Sequence, residues 1–109
     1  MNNTLKLNKD FKRLYYRGKC VACHNIVIYA QKSRMNVSRI GLTCGKSIGG
    51  AVQRNRAKRL MRESYRALAP RLTGNFDIVI VAKSKIADKK CCEVLRDMKY
   101  AFKKLGIII

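Results

Sequence analysis

Ala51-Val-Gln-Arg-Asn-Arg-Ala-Lys-Arg-Leu-Met-Arg-Glu-Ser-Tyr-Arg66 is the stretch around which the rest of the chain is organised. Wound at about 100° per residue, it sets Arg54, Lys58, Arg62 and Arg66 in one i, i+4 row flanked by Asn55 and Arg59. The other side carries Ala57, Leu60, Met61, Ser64 and Leu68, an apolar stripe suited to lie on a sheet. Neighbouring cations in such a row repel each other by a few tenths of a kcal/mol per pair, and only Glu63 is near enough to soften this. A surface that needed only solubility would alternate its signs. Clustering of one sign points to a polyanion, and RNA or DNA phosphate is the natural counter-ion.

The totals agree with that reading. Of 109 residues, 25 are Lys or Arg and 6 are Asp or Glu, a net charge of +19 spread from Lys6 to Lys104. Self-repulsion on this scale is tolerable chiefly when a polyanion neutralises it. A hydrophobic content of 48% argues against a disordered basic tail. One Pro and no low-complexity linker fit a single domain over residues 1–109. The polar start from Met1 to Lys9 offers no apolar signal region, and no run of about 18 apolar residues could span a bilayer. A cytoplasmic protein with no membrane partner is expected. Five cysteines, an odd number, favour free thiols over a disulfide framework.

Along the chain, Asn8 is placed to cap a short helix from Lys9 to Arg17, with Gly18 ending it in a left-handed conformation. Phe11 and Tyr15 then share one face. Ile26-Val-Ile-Tyr-Ala30 and the alternating Arg39–Cys44 run are expected to be two antiparallel strands. A Gly45–Gly50 loop feeds the basic helix, and Pro70 with Gly74 closes it. A third strand follows at Phe76–Ala82, buried on both faces. Asp88 is expected to cap a last helix whose Cys91, Val94, Leu95, Met98, Ala101, Phe102 and Leu105 fall on one stripe. Gly106-Ile-Ile-Ile109 reads as a strand-like or frayed end, with no function attached.

Other motifs are weaker. Gly41-Leu-Thr-Cys-Gly-Lys-Ser47 has three residues between its glycines, where a nucleotide phosphate loop needs four. The loop's amides and Lys46 can still serve an RNA phosphate at the helix N-terminus. Cys20-Val-Ala-Cys-His24 has the spacing of a haem attachment site but runs straight into a strand, so chance spacing accounts for it. Zinc could be held by Cys20 and Cys23 with Cys44, His24 or the Cys91-Cys92 pair, although Cys44 and Cys91 also fit apolar periodicities. The six acids show no pair, and His24 is the only histidine, so no protein acid-base dyad is readable. Phe11, Tyr15 and Tyr29 are either core or a platform for unpaired bases.

Arg39-Ile-Gly41, Lys46, Gly49, Ala51-Val52 and Arg54-Asn-Arg-Ala-Lys-Arg59 through Arg62-Glu63 resemble the signature of the bacterial ribonuclease P protein subunit. Asp10-Phe11, Tyr15, Gly18 and Tyr29 extend the resemblance over nearly the whole chain. Family members often carry Ser-Lys-Lys where Gly45-Lys46-Ser47 stands, and Gly-Asn at Gly49-Gly50, so one loop cation is missing. Phe is commoner than Tyr at position 15.

The resemblance implies an α+β class protein: a single-domain α-β sandwich with about four strands, three helices and a left-handed β-α-β crossover, ribosomal protein S5 domain 2-like. It implies a subunit that binds a catalytic RNA and the 5' leader of precursor tRNA, promoting endonucleolytic removal of the leader. Hydrolysis would fall to the RNA with magnesium held mainly by that RNA, with no organic cofactor, no catalytic protein residue and one protein per RNA. Phe11, Tyr15 and Tyr29 would line the leader cleft, with Arg54, Asn55 and Lys58 at its border. Arg56, Arg59 and Arg62 would lean toward the catalytic RNA, and Arg66 and Lys46 complete the RNA-binding set. Three rivals share the basic charge: a structural RNA-binding protein of ribosomal type, a DNA-binding architectural protein and a protein-only nuclease.

Overall fold

A computed structural model describes residues 5, 8–84 and 86–108, apart from the side chains of Asn8, Lys46 and Ala87. The elements in chain order are α1 (Asn8–Arg17), β1 (Lys19–Ala22), β2 (Ile26–Lys32), β3 (Arg39–Thr43), α2 (Ala51–Leu68), β4 (Phe76–Ala82) and α3 (Cys91–Leu105). The strands form one mixed sheet in the order β1-β2-β4-β3. β1 and β2 are a hairpin, β2 runs antiparallel to β4, and β3 runs parallel to β4. The parallel pair follows from α2, which crosses over between β3 and β4.

Ile26, Ile28, Ala30, Ile40, Leu42, Ile78, Ile80 and Ala82 share one face of the sheet and meet α2 and α3. All five apolar-stripe residues of α2 are buried there, as their spacing predicts. Ser64 keeps the two helices close, its hydroxyl 3.8 Å from the Cys91 sulfur. Val94, Met98, Ala101 and Phe102 of α3 are buried in the same core, with Cys91, Leu95 and Leu105 at its margin. β4 is buried at five of its seven positions, as expected for a strand with both faces covered.

Several local expectations are corrected. The strands at Ile26–Lys32 and Arg39–Thr43 are not partners, because β4 lies between them and takes the ladder bonds of both. The segment ahead of β2 forms a strand of its own, β1, with the turn at residues 23–25 pinned by Asn25 N–H to Asp97 Oδ2 at 2.9 Å. Gly18 is not left-handed. A Cβ there would come within 2.6 Å of the Leu14 carbonyl oxygen and 3.2 Å of that of Ala30, so glycine serves the tight exit from α1 and its close passage over β2. Asp88 does not cap α3. It ends a separate short turn, and the helix is capped at Lys90, whose N–H donates to Glu93 Oε2 at 2.8 Å. The cap expected of Asn8 concerns a side chain outside the described residues.

At the C-terminal end Gly106 takes a left-handed conformation (φ 74°) that closes α3. Ile107 and Ile108 then turn back into the core, and Ile108 bridges to Leu72. Residues 107 and 108 of the tail are therefore packed, and Ile109 lies outside the described residues. No helix among the described residues is long and apolar enough to cross a membrane.

Candidate RNA-binding surface

The second face of the sheet is organised in three rows that the register defines. The first is Gln31, Asp77 and Arg39; the second is Tyr29, Val79 and Gly41; the third is Val27, Val81 and Thr43. Helix α1 covers the first two. Leu14 packs on Val79 with Leu5, and the Phe11 ring lies over Gly41, where a Cβ would stand 2.8 Å from its edge. Glycine at 41 thus makes room for Phe11 on the strand.

Along the first row α1 is held by ions. Asp77, 2% exposed, accepts from Arg13 Nη2 at 2.7 Å and from Arg39 Nε and Nη2, both at 3.0 Å. Asp10 accepts from Arg13 Nη1 at 3.1 Å, and Gln31 Oε1 takes the Nε of the same arginine. The hydrogen bonds that Arg39 donates to Asp77, aided by the charges of Asp77 and Asp10, hold its guanidinium above even its usual high pKa, against the opposing effect of burial. Two acids that seemed scattered in sequence meet here. Both are engaged by arginines, so they position α1 and leave no free carboxylate for proton transfer.

The third row is only half-covered, and Tyr15 and Tyr29 stand beside it. Their rings meet edge to face at 4.9 Å between centroids. Tyr15 is 43% exposed, with its hydroxyl beside the Thr43 side chain. Burial raises both phenol pKa values, with nearby Cys20 adding to the effect at Tyr29. Both rings are therefore neutral at ordinary pH and can stack bases without repelling phosphate. Val27, Val81 and Thr43 form the adjoining floor. Sequence reading missed these three, although strand alternation in register with Tyr29 would have found them once the pairing was known.

Helix α2 lies on the other face of the sheet, yet its cations reach the same end of β3. Cys44, the residue after β3, has its pKa raised by burial while the charges of Lys58 and Arg54 pull it down, so both cations lie within electrostatic reach of its sulfur. Arg54 is half-buried, at the edge of the helix's apolar stripe, and Lys58, Arg59, Arg62 and Arg66 are exposed. Asn55 is exposed and faces outward about 100° round the helix from Arg54. Arg56 is exposed about 160° from Arg54 the other way, on the flank remote from Cys44. The edge strand β3 is thus the seam: Phe11 packs over Gly41 and Tyr15 stands beside Thr43 on one side, and the charges of Arg54 and Lys58 reach Cys44 on the other.

The loop before α2 makes a short turn at Lys46–Ile48 and buries Ile48. Gly49 has φ 127°, a conformation that favours glycine, and Gly50 precedes the helix with no side-chain cap. No acid stands in the first turn, and the first internal bond is Arg54 N–H to the Gly50 carbonyl. The amides of residues 51–53 are left to face an anion. The side chain of Lys46 lies outside the described residues.

The cysteines diverge. Cys20 pairs with Tyr29 at the aromatic side, whereas Cys23 is buried on α3 and its thiol donates to the Asp97 carbonyl at 3.4 Å. Burial raises the Cys23 pKa, aided by the charge of Asp97, so its thiol stays protonated. Among the described residues, no three His, Cys, Asp or Glu side chains gather where they could hold a metal ion.

An α-β sandwich that presents an aromatic floor, a row of arginines and lysines and an uncapped helix N-terminus belongs to the class of RNA-binding proteins. Within that class the comparisons are specific. The family Ribonuclease P matches residues 1–106. The ribonuclease P protein component of Alkaliphilus metalliredigens is 34% identical over 98% of this chain and 96% of its own length. That of Caldanaerobacter subterraneus subsp. tengcongensis is 45% identical over 77% of this chain and 72% of its own. The Staphylococcus aureus RNase P protein superposes with a TM-score of 0.87 at 25% identity, each chain covered in full. The Thermotoga maritima protein superposes with a TM-score of 0.78 at 27% identity, covering 89% of this chain and 92% of the other. The chain belongs to the ribonuclease P protein family, whose members are protein components of a tRNA-processing ribonucleoprotein endoribonuclease, and its RNA partner is the ribonuclease P RNA.

Proposed function

We propose that the protein binds the 5' leader of precursor tRNA in the surface that spans β3, while the outer cations of α2 engage the catalytic RNA. The observation that carries this reading is the seam itself. A single-stranded leader can stack on Tyr15 and Tyr29 over the Val27, Val81 and Thr43 floor, with its phosphates running to Arg54 and Lys58. Stacking on neutral rings tolerates any base, which suits leaders of varied sequence. Arg59, Arg62 and Arg66 project away from that seam and are exposed for a second RNA surface.

The protein contributes binding and orientation. Asp10 and Asp77 are saturated by arginines, and His24 is exposed on a turn remote from both. Hydrolysis is assigned to the RNA, with magnesium held mainly by that RNA, no organic cofactor and one protein per RNA. Family membership also disfavours the purely structural ribosomal-type alternative.

Reconstitution tests the proposal. The protein mixed with its catalytic RNA should release the leader from precursor tRNA at low magnesium faster than the RNA alone, and rigorously RNA-free protein should cleave nothing. Cleavage by the RNA-free protein, or no effect of the protein on the RNA reaction, would overturn it.

A further inference from the structure

At the far end of β2 from the aromatic floor, a cavity of about 270 Å³ opens between the end of α1, the β1-β2 hairpin and the end of α3. Its apolar lining comes from Phe76, Leu105 and Ile107, and its cations are Arg17, Lys19 and Lys32. The fold builds it deliberately from distant parts. Lys19 stands opposite Ala30 and Lys32 opposite Phe76 in the sheet register. The left-handed Gly106 brings Ile107 back over the strand ends, where Thr73 N–H donates to the Ile107 carbonyl at 2.9 Å. Phe76 and Leu105 are half-buried, so apolar surface faces the cavity, and all three charged residues there are exposed and cationic.

An apolar wall beside three cations fits a flat ring carrying an anion. The volume lies just under the usual range of about 300–1,000 Å³ for small-molecule pockets, which suits one ring system better than an extended ligand. We propose that this cavity receives one unpaired nucleotide of an RNA, its base against Phe76, Leu105 and Ile107 and its phosphate at Arg17, Lys19 and Lys32. The inference rests on the RNA-binding reading above and adds a second contact, on the opposite end of the sheet from the leader surface. The RNA is either the leader or the catalytic RNA, which share this chemistry.

The full-length ¹⁵N-labelled protein would be titrated with adenosine and uridine 5'-monophosphates, and separately with inorganic phosphate. The nucleotides should shift the amides of Lys19, Lys32, Gly106 and Ile107 at millimolar concentration. K19A/K32A, at two exposed positions, should lose roughly tenfold in affinity through two missing charge-assisted contacts, while R54A/K58A keeps it. Unmoved cavity amides, equal shifts with inorganic phosphate, or shifts that survive K19A/K32A would overturn the proposal. A second arm assigns the source. Weaker binding of the catalytic RNA alone by K19A/K32A points to that RNA, a loss that grows with leader length points to the leader, and no loss with either overturns the proposal. Failure of the leader reading would show separately, in the Tyr15 and α2 variants.

Discussion

The two faces of the sheet are covered in contrasting ways. On one, α2 and α3 close an apolar core in which the large side chains are almost wholly buried. On the other, α1 covers two rows and leaves the third half-open, and it is held there by a small apolar cluster around Leu14 and Val79 together with an ion network. The closed face gives stability by burial alone, at roughly 25 cal/mol per Å². The open face has to keep aromatic and β-branched side chains near water, so Asp77 and Asp10 and their arginines supplement its small apolar cluster. A face meant to receive RNA cannot be sealed by hydrophobic packing.

That contrast can be broken experimentally, and the largest effect is expected at its anchor. Asp77→Ala leaves Arg13 and Arg39 facing a half-buried gap. It should cost about 3 kcal/mol in denaturant unfolding, the low end for breaking a buried pair because both arginines are partly hydrated. A loss under about 0.5 kcal/mol, the level of an exposed pair, would mean that the network does not hold α1.

Next comes Tyr15→Ala. It should weaken binding of leader-bearing precursor by about 1–3 kcal/mol while leaving mature tRNA binding and the unfolding midpoint nearly unchanged. Equal losses for both substrates would return Tyr15 to a merely structural part of the open face.

Arg54→Ala and Lys58→Ala should each reduce affinity by similar factors across RNA sequences and flatten the salt dependence of log K by about one unit. An unaltered slope would remove these residues from phosphate contact.

The smallest effect belongs to the closed face. The hydrogen bond from the Lys90 N–H, with Lys89, Arg96 and Lys90 nearby, lowers the Glu93 pKa below the usual carboxylate range. Its contribution to α3 is therefore present above the unfolded carboxylate pKa and lost as pH falls through the lower folded value. Glu93→Gln should make acid unfolding slightly less steep in that window. An identical acid limb would show that the cap contributes nothing.

The closed face was readable along the chain because its signals are local. The 3.6-residue spacing of Ala57, Leu60, Met61, Ser64 and Leu68 names the buried side of α2, and the β-branched run at Phe76–Ala82 names the central strand. The open face depends on partners far apart in sequence, and so was legible only in part. Asp10 and Asp77 meet across 67 residues of chain, through arginines at 13 and 39. Strand pairing likewise hinges on the α2 crossover, which put β4 between two strands whose alternation alone suggested direct contact. Aromatic residues Phe11, Tyr15 and Tyr29 were recognisable as a set. Their floor of Val27, Val81 and Thr43 was not, since it exists only in the register of three strands. Gly18 illustrates the same limit in part, because a Cβ there would meet the Ala30 carbonyl of another element as well as the Leu14 carbonyl of α1.

The claim that β3 joins an aromatic floor and a basic row into one leader-binding surface is tested most directly by a ratio of affinities. Reconstituted complexes carrying the native protein or Tyr15→Ala/Lys58→Ala would be titrated with precursor tRNA and with mature tRNA at fixed salt. The preference for the leader-bearing precursor should fall nearly to unity in the double variant, with mature tRNA bound almost as before. A preference that survives both substitutions would contradict the account.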